Sequence, residues 1–217
     1  MRPEPSEPIR NLILQGNLVD AEHLAYEALK VAPAYPPLWV ALGDIEEARG
    51  DKDSASRLRE AAIQSLRGIA EKGGSSLFSD ALEGWVLWKE ERMDEAIEPL
   101  QRCAKALDGG EDAFVQLLLG SAYLLKQRYL EARIALERAH TGALVAEIQD
   151  QAMGGLKVIA ATRANVLGIC ETMGVSIETL LASGEIPESD AESIQELCEA
   201  GDLSQFPHDG RGITRSI

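Results

Sequence analysis

A 34-residue spacing between small residues constrains the fold of this chain more than any other feature. Ala55 and Ala62 lie 34 residues after Ala21 and Ala28. Similar pairs of small residues return later in the chain, as Ala96 with Cys103 and as Ala132 with Ala139. This period is typical of helix–turn–helix repeats, which stack because one unit alone cannot bury its apolar face. We therefore predict an all-α chain built as an α-solenoid of about four such repeats.

A glycine within the first helix of each later unit favours the same architecture. Gly43, Gly84 and Gly120 each cost about 1 kcal/mol relative to alanine in a helix interior. Such a glycine is tolerable where a second helix crosses close to the first. We expect alanines near the start of the second helices to lie on the other side of these crossings, namely Ala55, Ala96 and Ala132.

This pattern resembles the tetratricopeptide repeat (TPR) family over residues 8–145. The second unit matches through Trp39, Leu42, Gly43, Ala55 and Ala62, and the fourth through Leu119, Gly120, Tyr123, Ala132 and Ala139. The first unit keeps mainly its second helix, with Leu12, Ala21, Ala25, Ala28 and Pro33. The third unit keeps Gly84, Leu87, Ala96 and Leu100 but has Glu83 where the family usually has leucine. The resemblance implies a right-handed solenoid in which Trp39 and Tyr123 pack in the core.

The repeat pattern and the turn residues divide the chain into segments. We predict a flexible N-terminus at 1–7 and repeat units at 8–35, 36–72, 76–110 and 111–142, within an array that extends to 145. The predicted helices are about 8–15, 19–31, 36–49, 52–71, 77–91, 94–107, 112–126 and 129–140. Residues 143–173 predict one long capping helix, which Gly154-Gly155 could kink or split. Residues 174–200 predict an acidic segment with two short helices, and 201–217 a disordered tail.

The strongly acidic composition narrows the choice of partners. The formal net charge is −15 and the sequence pI is about 4.6, so the chain repels phosphate backbones and anionic lipid. We therefore expect no nucleic-acid partner. No stretch of 18 apolar residues occurs, so no membrane insertion is expected. The N-terminus has no signal-peptide pattern, and three dispersed cysteines favour reduced thiols, so we expect a cytoplasmic protein.

The sequence contains no recognisable catalytic constellation. The three histidines are dispersed, no Cys-x-x-Cys pair occurs, and no glycine pair continues into a phosphate-binding loop. Adjacent carboxylates such as Glu46-Glu47 point about 100° apart on a helix, so they cannot act together on one bond. We predict a protein without catalytic residues, metal or cofactor that is not an enzyme.

The TPR resemblance implies a concave groove, lined by the first helices of the repeats, that grips a peptide or a helix of a partner. Matching positions here are Val40, Asp44, Glu47, Phe78, Ala81, Trp85, Trp88, Lys89, Phe114, Leu117, Ser121, Leu124 and Leu125. Such a groove is apolar at its centre with acidic flanks, so it suits an amphipathic helix or an apolar peptide with basic neighbours. The alternatives are that Trp85, Trp88 and Phe114 belong to the core, or that the C-terminal helices occupy the groove.

Some TPR modules hold C-terminal carboxylates with a clamp of basic and amide side chains. The matching positions here are Arg10, Val40, Asp44, Ala81, Trp85, Leu117 and Ser121. Only Arg10 carries the right charge, so a carboxylate clamp is not expected.

The resulting functional hypothesis is a protein-binding scaffold or adaptor. The alternatives are a dedicated chaperone for a secreted or assembling protein and, more remotely, a regulatory subunit of an enzyme. A homodimer is compatible with the first hypothesis, because the ends of a solenoid leave apolar helix faces to be covered.

Overall fold

A computed structural model of the chain describes residues 6–74, 76–107, 113–184, 186, 188–199 and 201. Within these residues all regular elements are α-helices, eleven in number. In chain order they are α1 Ser6–Leu14, α2 Leu18–Val31, α3 Pro36–Arg49, α4 Lys52–Glu71, α5 Leu77–Lys89, α6 Met93–Ala106, α7 Ala113–Leu125, α8 Tyr129–Gly142, α9 Ala146–Met173, α10 Ile177–Ala182 and α11 Glu188–Glu199. The all-α prediction is confirmed for the described part of the chain.

The ends of the helices agree closely with the sequence pattern. The predictions for α3 and α4 match residue for residue, and the other helices begin and end within a few residues of prediction. The helix α9 runs through Gly154-Gly155 without a break, so that pair does not split it. The predicted features at 1–5, 108–112 and 202–217 lie outside the described residues.

Local hydrogen bonds explain where several helices begin and end. The Asp51 carboxylate accepts the backbone N–H of Ser54 at 3.0 Å and caps α4. The Ser76 hydroxyl accepts the N–H of Ser79, whose own hydroxyl accepts the N–H of Ser76, and this reciprocal pair caps α5. Gly50 ends α3 in the left-handed region with φ of +88°, which glycine adopts without strain.

The chain forms two compact units, residues 1–92 and 93–217. In unit 1, α1, α2 and α3 contact one another, α3 packs along α4, and α4 contacts α5. The core of its first three helices consists of Ile9, Ala21, Ala25, Leu29, Leu38, Ala41, Leu42 and Ile45. Trp39 packs against this cluster, and its indole N–H donates to the Pro33 carbonyl at 3.0 Å.

The predicted close crossing of helices is present in unit 1. A Cβ atom at Gly43 would lie 3.2 Å from the Ala55 carbonyl oxygen and 3.1 Å from Cγ of Arg59. A methyl group there would therefore press on both neighbours. Gly43 in α3 and Ala55 in α4 are the pair that the sequence predicts at this crossing.

Unit 2 is organised around α8, which contacts both α7 and α9. A Cβ atom at Gly120 or at Gly155 would lie 2.7 Å from the side chain of Leu136. Leu136 therefore occupies the space that two glycines leave on two different helices. The nearest neighbours of Gly120 are atoms of Leu136 rather than of Ala132, the residue expected from the sequence.

The remaining helices of unit 2 pack on this centre. The helix α6 contacts α7, α10 contacts α9, and α11 contacts α8 and α9. Tyr123 is buried, as the sequence predicts, and Gln101 Nε2 donates to its hydroxyl at 2.6 Å. The division between the two units falls between α5 and α6, within the predicted repeat 76–110.

None of the helices in the described part of the chain has the length and apolar character needed to cross a bilayer. Among the described residues, no disulfide joins Cys103, Cys170 or Cys198.

Candidate functional site

The most unusual feature of unit 1 is a buried arginine in the core-facing stripe of α4. Arg59 follows Ala55 by four residues, and its residue surface is only 4% exposed. The residue four positions after the corresponding alanine is Ala25 in the first unit, Leu100 in the third and Leu136 in the fourth, and all three are fully buried. An arginine thus occupies a position that leucine fills elsewhere in this chain.

Three carboxylates surround the Arg59 guanidinium. Nη1 donates to Glu90 Oε1 at 3.0 Å, and Nη2 donates to Asp44 Oδ1 at 2.9 Å and also to Glu47. Asp44 and Glu47 are three residues apart on α3, so one helix face presents both to α4. The Glu90 carboxylate also accepts the hydroxyl of Ser56, through its second oxygen.

Lys89, at the end of α5, completes this group. Its ammonium Nζ donates to Asp44 Oδ1 at 2.8 Å and to Glu47 Oε2 at 3.0 Å. The same nitrogen lies 5.4 Å from the centre of the Trp85 ring, within range of a cation–π interaction. We call Asp44, Glu47, Arg59, Lys89 and Glu90 the Arg59 cluster; with three carboxylates and two cations it carries a net charge of −1.

The cluster shifts the protonation of its members. Burial opposes ionisation of Glu47, but hydrogen bonds from Lys89 and Arg59 outweigh it and lower the pKa of this carboxyl. Burial likewise works against the charge of Arg59, but the bonds to Asp44, Glu90 and Glu47 raise its pKa. Both groups therefore stay charged at neutral pH, and α3, α4 and α5 are joined by ion pairs.

An aromatic surface lies on α5 next to this cluster. Phe78, Ala81 and Trp85 follow one another at helical spacing; Phe78 is 53% exposed and the other two are half-buried. Leu87, on the opposite side of α5, is fully buried, and so is Val86. We call Phe78, Ala81 and Trp85 the α5 surface. It presents apolar area to solvent beside the charged groups of the Arg59 cluster.

Trp88 has an intermediate environment. It is half-buried, yet its indole nitrogen is shielded from solvent and no described residue accepts a hydrogen bond from it. An unpaired buried donor costs free energy. Trp88 is thus neither fully in the core nor part of the exposed α5 surface.

The structure brings some of the predicted groove residues of unit 1 together and separates others. Asp44, Glu47 and Lys89 are in direct contact, as described above. Val40 is only 3% exposed, so its side chain packs in the core instead of facing solvent. Whether the exposed members bind a partner stays a prediction.

The other predicted groove residues belong to unit 2. Phe114 and Leu125 are exposed at the two ends of α7, and Leu124 is half-buried. Leu117 is buried, and its carbonyl accepts the hydroxyl of Ser121 at 2.8 Å. Leu117 and Ser121 therefore make contacts within α7, and a binding role for this set likewise stays a prediction.

Sequence reasoning missed the two residues that complete the cluster, Arg59 and Glu90. A signal for Arg59 was present, because a charged residue within an apolar helical stripe needs a counter-charge. Glu90 gave no comparable signal, because it looks like a solvated residue at the end of a helix. Among the described residues, no group of three or more His, Cys, Asp and Glu is placed to hold a metal ion.

A scan of protein-family models finds none that matches this chain, and a search of curated proteins finds no match either.

Proposed function

We propose that this chain is a TPR-like α-solenoid that acts as a non-catalytic adaptor. The proposed site is the α5 surface together with the Arg59 cluster, and the proposed partner is a peptide or helix with an apolar anchor and basic neighbours. The single observation that carries this proposal is an α5 face with Phe78 exposed at one end and Trp85, at the other, in contact with an ion network of excess negative charge.

The chemistry of the two surfaces supports this kind of partner. An exposed apolar patch rimmed by charged groups is typical of a protein-binding site. Phe78 and Trp85 supply area that an apolar side chain can cover, and tryptophan is enriched among residues that dominate binding energy. Glu47 is the most exposed carboxylate of the cluster, with a side chain 45% exposed, so it can receive a lysine or arginine of the partner.

The ion network also gives the site rigidity. Arg59 and Lys89 tie Asp44 and Glu47 of α3 to α4 and α5. Side chains that are already fixed lose less conformational entropy when a partner binds. A pre-arranged acidic flank next to an aromatic surface therefore favours specific binding without any change in the fold.

The test is a peptide-display selection on the immobilised chain. We expect enrichment of peptides with an aromatic or aliphatic residue near Lys or Arg, and an affinity that falls as salt is added. Replacing Phe78 or Trp85 by alanine should weaken the selected peptides by about 10–30-fold. Tyr26→Ala is the matched control, because Tyr26 lies on α2 and is 51% exposed, close to the 53% of Phe78.

The outcome that contradicts the proposal is equally clear. Selected peptides that bind the Phe78→Ala and Trp85→Ala variants as tightly as the unaltered chain would place the site elsewhere. Thermal melts of each variant are measured in parallel. Because Phe78 is exposed, its truncation should leave the melting temperature nearly unchanged.

A further inference from the structure

The helix α11 docks on α8 and α9 through a small contact. Among its described side chains Leu197 alone is fully buried, while Ile194 and Cys198 are half-buried. Just after the helix, a Cβ atom at Gly201 would lie 3.2 Å from Nη1 of Arg133 on α8. One buried leucine is a modest anchor for a helix of 12 residues.

Glu196 is the polar element of this contact. The backbone N–H of Leu130, in the first turn of α8, favours the charged form of its carboxylate and acts to lower its pKa. The N-cap residue of α8, Arg128, makes no side-chain capping bond. Glu196 therefore places a carboxylate near a helix N-terminus that its own cap residue leaves uncapped.

Two buried polar atoms at α11 and beside it oppose the docked arrangement. Glu196 Oε2 is shielded from solvent, and no described residue donates to it. Nε of Arg163 on α9 is buried and also lacks an acceptor within the described residues. Arg163 lies beside α11, since its charge acts on the Cys198 thiol. Buried polar atoms without partners destabilise the docked state relative to the open one, where water can reach them.

The charges around Glu196 do not remove this penalty. Arg128 attracts the carboxylate, but its guanidinium is already bound to Glu131 through two hydrogen bonds. Glu131 on α8 and Glu192 on α11 repel it, while Arg163 on α9 and Glu178 on α10 act on the nearby Cys198 thiol. Burial, followed by this repulsion, raises the pKa of Glu196, although the Leu130 N–H and Arg128 act in the opposite direction.

We propose that α11 is a reversible strap over α8 and α9, and that protonation of Glu196 controls its docking. The neutral carboxyl tolerates burial, so docking is strongest at low pH. Docking begins to weaken as pH rises above the ordinary pKa of a glutamate, which applies in the open state. It continues to weaken until pH passes the raised pKa of Glu196 in the docked state, and above that pH the full penalty of burying the charge applies. Opening frees the face of α8 and α9 that α11 covers.

The chain carries a built-in reporter for this opening. Cys170 on α9 is buried, and it lies close enough to Cys198 of α11 to influence that thiol electrostatically. Cys103 is buried as well, but it lies on α6, whereas α11 packs on α8 and α9. Release of α11 should therefore expose Cys170 and leave Cys103 protected.

The experiment measures labelling of these two thiols in the full chain carrying Cys198→Ser. The reagent is 4,4′-dithiodipyridine, which reacts at acidic and at neutral pH, and peptide mass spectrometry separates the two sites. The key variant is Glu196→Gln, a neutral isostere of the protonated carboxyl. At each pH, the Cys170 labelling rate of the chain with Glu196 is divided by that of the Glu196→Gln variant. This ratio cancels the intrinsic reactivity of the thiol.

We expect this ratio to be near one at low pH and to rise with pH, while Cys103 stays protected. Leu197→Ala should speed Cys170 labelling by at least about tenfold, since it removes the main apolar anchor. Glu199→Gln removes a charge from an exposed position of the same helix, so it should leave the Cys170 labelling rate unchanged at each pH. A ratio of one at every pH would overturn the role of Glu196, and equal labelling of Cys170 and Cys103 would overturn the strap.

Discussion

Replacing Arg59 by leucine tests whether the cluster exists to neutralise its carboxylates. Leucine suits the position itself, because Leu100 and Leu136 fill the corresponding sites. The cost comes from the carboxylates that remain. Glu90, with a side chain 14% exposed, keeps only the Ser56 hydroxyl among the bonds described, while Asp44 and Glu47 keep Lys89.

The expected magnitude follows from these environments. Removing one partner of a fully buried ion pair costs about 3–5 kcal/mol. Here the carboxylates are partly hydrated and two of them retain a cation, so Arg59→Leu should destabilise unit 1 by about 2 kcal/mol.

The chain itself suggests the compensating change. By the spacing from Gly43 and Gly120, Asp44 corresponds to Ser121 and Glu47 to Leu124. The triple variant Arg59→Leu/Asp44→Ser/Glu47→Leu therefore reproduces the combination found with Leu136. It removes two of the three carboxylates that Arg59 neutralises, so it should recover stability to within about 1 kcal/mol of the unaltered chain.

The assay is urea unfolding followed by tryptophan fluorescence. All three tryptophans, Trp39, Trp85 and Trp88, lie in unit 1, so the signal reports that unit. The single variant should lower the midpoint by about 1–2 M urea, and the triple variant should restore most of the loss. A single variant as stable as the unaltered chain would refute the neutralising role, as would a triple variant no more stable than the single one.

Two other predictions concern packing and pH. Gly120→Ala should destabilise unit 2 by about 1–3 kcal/mol, because the new methyl group meets Leu136. Gly168 has open space around it, so Gly168→Ala should stabilise unit 2 by about 0.5–1 kcal/mol. Thermal melts followed by circular dichroism distinguish the two variants. The pKa of Glu60 is lowered by hydrogen bonds from Gln64 and Arg92, and that of Glu47 is lowered as described. The stability that these two carboxylates contribute is present above pH 4.5, their ordinary pKa. It should be lost as pH falls through their lowered pKa values in the folded chain. Urea midpoints that stay constant from neutral pH to about pH 3 would contradict this prediction.

Helix positions could be predicted from sequence because their signals are local. Spacing of small residues, Gly50-Asp51 and Ser76 define helix ends with little help from the rest of the chain. The crossing of Gly43 and Ala55 was also predictable, since both residues belong to one helix pair. The partner of Gly120 was not, because helical periodicity defines a face without defining which side chain of the neighbour reaches it.

The candidate site could be predicted only in part for the same reason. The TPR resemblance put Asp44, Glu47 and Lys89 among the residues of one predicted groove, and the structure brings these three into contact. The resemblance could not show that Val40 turns to the core, because a helix packed on several sides buries more than one stripe. The link between α4 and the end of α5 through Arg59 depends on contacts between distant segments, which one sequence does not report.

Photocrosslinking from position 81 is the sharpest test of partner binding at the α5 surface. Ala81 lies between Phe78 and Trp85 on the α5 surface, so p-benzoylphenylalanine there would touch a partner bound at that surface. In extract of the cells that naturally express the chain, we expect a defined crosslinked protein from position 81 and none from position 26 on α2. Equal crosslinking at both positions, or crosslinking at position 26 alone, would contradict this expectation.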